Sequence, residues 1–64
     1  MSVLIDGVVC GAQVSPVLLM EYLLEQLRWR RWQIVCASIP AADGSREIEA
    51  LDSEGRIHNI EVRL

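Results

Sequence analysis

The sequence contains no lysine, one histidine and two cysteines. Each shortage excludes something. A lone histidine with Cys10 and Cys36 far apart, and no Cys-x-x-Cys, makes no zinc site. No nucleophile, base and carboxylate fall at spacings that argue for a triad. No glycine-rich phosphate loop is present. No apolar run approaches the ~18 residues of a membrane span, and the longest, Val17 to Leu24, is broken by Glu21. The N-terminus lacks a basic leader, and Asp6 comes too early for a signal peptide. The expectation is a soluble, cytoplasmic protein that is not an enzyme, holds no metal or cofactor and does not bind membrane.

Sixty-four residues make one domain, 1–64, near the lower limit for folding alone. Such a chain buries roughly 60% of its unfolded surface. Ligand pockets of roughly 300 Å3 and more would hollow it out. The apolar fraction of 52% is too high for disorder. Cys10 and Cys36 lie in apolar contexts and read as buried free thiols; a disulfide is the other reading, in an oxidising compartment.

The charge is −3, from nine acids and six arginines, which disfavours nonspecific binding to nucleic acid or anionic membrane. Its distribution is uneven. Residues 1–27 carry only acids, whereas Arg28, Arg30 and Arg31 follow together. From Asp43 onward acids again outnumber arginines.

Asp6-Gly7 between Val3-Leu4-Ile5 and Val8-Val9-Cys10 predicts a tight hairpin. Ser15 and Pro16 suit the cap and first position of a helix running to about Arg31. Trp32 to Ile39 predicts a strand ended by Pro40, Arg46 to Leu51 another, and Ile57 to Leu64 the last. The order is β-β-α-β-β-β, and the fold class is α+β, one helix packed on a mostly antiparallel sheet.

Asp52-Ser53-Glu54-Gly55-Arg56 fits a three-residue hairpin loop, which sets the register. Ile48 then opposes Ile60, Ala50 opposes His58 and Arg46 opposes Val62 on the face toward the helix. Leu51 opposes Ile57, Glu49 opposes Asn59 and Glu47 opposes Glu61 on the other face. Opposed like charges destabilise a sheet by roughly 0.2–1 kcal/mol, and no lysine relieves this one. Two readings follow: a solvated outer face, or an acidic surface kept for a basic partner. The partner surface comprises Glu47, Glu49, Glu61 and Glu54, with Asp43 and Asp52. His58 reads as a packed structural histidine.

On the helix, Val17, Leu19, Met20, Leu23 and Leu27 form the expected core stripe. Leu18, Tyr22 and Trp29 form a flanking stripe, either the edge of a wide core or a docking and dimer surface. Arg28, Arg30, Arg31 and Trp32 mix cations with an aromatic, as single-stranded nucleic-acid binders do; dipole complementation at the helix end accounts for the same arginines.

In size, acidity, single-domain architecture and lack of catalytic motifs, the chain is similar to the small acidic inhibitors encoded by phages and mobile elements, of which anti-CRISPR proteins are the familiar group. The resemblance implies stoichiometric blockade, in which an acidic face covers a basic, nucleic-acid-binding surface of a host protein complex. The expectation is a protein partner with a basic surface, no direct nucleic-acid contact, and a monomer or weak homodimer in the host cytoplasm.

Overall fold

The computed structural model describes residues 1–63. Five strands and one helix follow the predicted order: β1 (Ser2–Ile5), β2 (Val8–Gly11), α1 (Leu19–Arg30), β3 (Gln33–Ala37), β4 (Arg46–Leu51) and β5 (Ile57–Arg63). The strands form one sheet in spatial order β2-β1-β5-β4-β3, with every neighbouring pair antiparallel. The last predicted strand residue, Leu64, lies outside the described residues.

Both hairpins follow from their turns. Ile5 pairs with Val8 across Asp6 and Gly7, whose φ angles of 50° and 82° are the left-handed pair that a type I′ turn needs. In the C-terminal hairpin the Asp52 amide donates to the Arg56 carbonyl, and the Gly55 amide to that of Asp52. All six expected β4–β5 pairs form, from Arg46 with Val62 to Leu51 with Ile57.

This register delivers Ile48, Ala50, Ile60 and Val62 to one face, joined by Val3 and Ile5 of β1. Leu23 and Leu27 of α1 close the core. Burying each of the valine, isoleucine and leucine side chains contributes about 1.5–3 kcal/mol.

The helix starts later than expected and ends where expected. It begins at Leu19, three residues after Pro16, and Leu18 at its cap makes no side-chain hydrogen bond. Pro16 to Leu18 instead form a turn in which the Leu18 amide donates to the Ser15 carbonyl. At the other end Arg31 adopts φ 57° and ψ 39°, and the Trp32 amide reaches the Leu27 carbonyl. This is a Schellman closure with arginine where glycine is usual.

The helix is also rotated relative to the expected stripe. Leu19 and Tyr22 pack against the core, whereas Val17 and Met20 are exposed. Gly11 accommodates the inward tyrosine: a Cβ there would sit 2.7 Å from the Tyr22 hydroxyl, so the bare backbone of β2 seats the ring. Cys10 and Cys36 are free, but both are exposed rather than buried, because each lies on an outermost strand.

Candidate functional site

The outer face of the sheet is built by β-strand alternation. Odd-numbered residues of β4 and β5 point away from the helix, so Glu47 and Glu61 meet directly across the ladder. Glu49 follows on the same face, between Asn59 on β5 and Cys36 on β3. Among the described residues, neither Glu47 nor Glu49 enters an ion pair. Glu61 accepts a 2.8 Å bond from Arg63 Nε.

The remaining predicted acids lie at the margins. Asp43, in the loop before β4, lines a hollow with Ser45, Glu61 and Arg63. Its carboxylate accepts from the Ser45 hydroxyl and amide, which hold its pKa below the usual value, and Arg63 adds to the effect. Glu54 sits beyond the opposite end of β4, 3.5 Å from Arg56 in an exposed pair of little energetic weight. Asp52 turns to the inner face. The structure thus brings Glu47, Glu49 and Glu61 together, adds Asp43 at one end, and separates Glu54 and Asp52 from them.

Asp52 belongs to a second constellation. His58 Nε2 lies 2.7 Å from Asp52 Oδ2, and His58 Nδ1 lies 2.7 Å from Asp6 Oδ2. The Trp32 ring stacks on the imidazole at 4.0 Å with an 8° interplanar angle. The Arg30 guanidinium stands 5.1 Å from the Trp32 ring centroid. Hydrogen bonds to Asp52 and Asp6 raise the His58 pKa, and the bond to His58 is the largest cause lowering each carboxylate. The other oxygens are engaged too: Asp6 Oδ1 accepts from the Asn59 amide, and Asp52 Oδ1 from the Glu54 and Arg56 amides. With both ring nitrogens bonded to carboxylates, the imidazole has none left for a substrate proton. The array ties both hairpin turns to the end of the helix. Among the described residues, no group of three or more His, Cys, Asp or Glu side chains converges to hold a metal ion.

The sequence held one sign of this array. Asp52 and His58 are diagonal neighbours on the face that carries Ala50. Asp6 enters only through the β1–β5 pairing, which joins residues 52 apart and has no local signal.

The other predicted surfaces are redistributed. Of the flanking stripe, Tyr22 packs inward, while Leu18 and Trp29 stay exposed, Trp29 at 77%. Arg28, Trp29 and Arg31 line a shallow hollow with Glu25. Arg30 and Trp32 turn away toward His58, so the basic-aromatic cluster is divided. A feature not anticipated for so small a chain is an open apolar groove of about 420 Å3 between α1 and the β3 side of the sheet. Among the described residues, no helix is long and apolar enough to cross a membrane. No family model, curated protein or solved structure matches the chain.

Proposed function

We propose that the protein is a non-catalytic binding module whose outer sheet face docks on a basic surface of another protein and blocks it by occupancy. The observation that carries this reading is Glu47 set opposite Glu61, with Glu47 and Glu49 in no ion pair within the described chain. Opposed carboxylates weaken the sheet. A basic partner converts that repulsion into attraction, and steers association through the field of the whole face.

Surfaces that hold nucleic acid carry this complementary charge. Occupying one would make the protein a stoichiometric inhibitor of the anti-CRISPR kind. Capture of partners from the native cell tests the reading. A Glu47→Arg/Glu49→Arg bait should fold normally and lose a basic partner that the wild type retains, with the largest difference at low salt. Equal recovery by the two baits would refute the proposal.

A further inference from the structure

We infer that a second copy of this chain occupies the apolar groove, in a two-fold dimer that leaves the acidic face free. The groove is walled on one side by Met20 and Leu24 of α1 and on the other by Ile34 and Ala37 of β3, with Ile48 in its lining. Met20 and Leu24 are 61% and 54% exposed, and Ile34 is 46% exposed. Tyr22 is seated on Gly11 of β2, at the opposite edge of the sheet from β3, which borders the groove.

The occupant is specified by charge and by edge chemistry. Among the described residues, Arg46 is the one charged side chain in the groove lining and enters no ion pair, whereas the Met1 ammonium at the same lining is bonded to the Val14 carbonyl. An occupant therefore needs an apolar ridge with an acid beside it. The chain carries that element itself: Met20 and Leu24, four apart on one helix face, with Glu21 next to Met20 and also in no described ion pair.

A two-fold axis seats the ridge of each copy in the groove of the other, and sets Glu21 of each toward Arg46 of its mate. Such an isologous contact satisfies both copies at once. The groove borders β3, an outermost strand whose residues Gln33 to Ala37 are all exposed and uncharged. Edges of this kind are usually shielded by charge. β3 itself carries no acid, so two chains of net charge −3 can meet along it, with each Glu21 set against the Arg46 of its mate.

Sedimentation velocity across the micromolar range tests the inference. The wild type should sediment as a dimer. Leu24→Glu and Met20→Glu, both at exposed positions, should keep the wild-type far-UV circular dichroism and weaken dimerisation about tenfold or more. Arg46→Glu should weaken it too, and Glu21→Arg/Arg46→Glu should restore it. Trp29→Glu, outside the groove, should remain dimeric. A wild-type monomer at high micromolar concentration would assign the groove to another occupant and overturn the inference. So would a Leu24→Glu dimer as tight as wild type, or a dimer dissolved by Trp29→Glu.

Discussion

Glu47 and Glu61 stand directly opposite each other on the outer face of the β4–β5 ladder, and the cation bonded to Glu61 is Arg63, two residues along its own strand. The pair follows from the period-two alternation of two strands whose turn fixes their register. Replacing Glu47 with arginine turns an opposed like pair into an opposite one. It should stabilise the fold by about 0.2–1 kcal/mol. Urea denaturation measures this directly, and a lower midpoint for the variant would show that the two carboxylates do not repel in the folded state.

His58 makes stability depend on pH from both sides. Its folded pKa is raised above 6.5, so its contribution is complete below that value and is lost as pH rises through the folded pKa. Asp6 and Asp52 are lowered below 3.8, so their contributions are complete above it and are lost as pH falls through the depressed values. Stability should therefore be greatest between the two limbs. Asp43, held by Ser45, adds to the acid limb alone. In His58→Gln the alkaline limb should flatten, and stacked Trp32 should lose the pH-dependent part of its fluorescence. An unchanged alkaline limb in that variant would contradict the array.

Gly11 and Tyr22 are coupled by contact. Alanine at position 11 would place its Cβ 2.7 Å from the Tyr22 hydroxyl and 2.8 Å from the ring carbon bearing it. Gly11→Ala should destabilise by about 1–3 kcal/mol through overpacking. Combined with Tyr22→Leu, it should add much less than it does alone. A double-mutant cycle with no interaction energy would show that the ring does not rest on this backbone.

Arg31 occupies the left-handed closing position of α1. A side chain there is strained, against a smaller gain from its charge at the helix terminus. Arg31→Gly should therefore raise stability by several tenths to about 1 kcal/mol. Thermal unfolding checks it, and a destabilised glycine variant would mean that the arginine charge outweighs the backbone strain.

Local chemistry made much of this molecule legible. Asp6-Gly7 and the Asp52–Arg56 loop each set a hairpin, and the second also determined which acids share a face. The helix stripe was less readable, because Tyr22 and Met20 are both apolar enough to face a core. Tyr22 is the one that meets Gly11, on the strand preceding the helix, and helix periodicity alone does not show that contact. The exposure of Cys10 and Cys36 is hidden from the sequence for a similar reason: an apolar strand sequence does not reveal whether the strand is central or outermost. The sheet order that places β1 beside β5 also assembles Asp6 with His58, and only the tertiary pairing shows it.

The most direct test of the acidic face uses an arginine-rich peptide of about ten residues as the probe of a basic surface. In a nuclear magnetic resonance titration at low salt, amide shifts should centre on Glu47, Glu49, Asn59 and Glu61, and should vanish in Glu47→Arg/Glu49→Arg. Shifts centred instead on Arg28 to Trp32, or on the groove around Leu24 and Ile34, would contradict the assignment of the outer sheet face as the working surface.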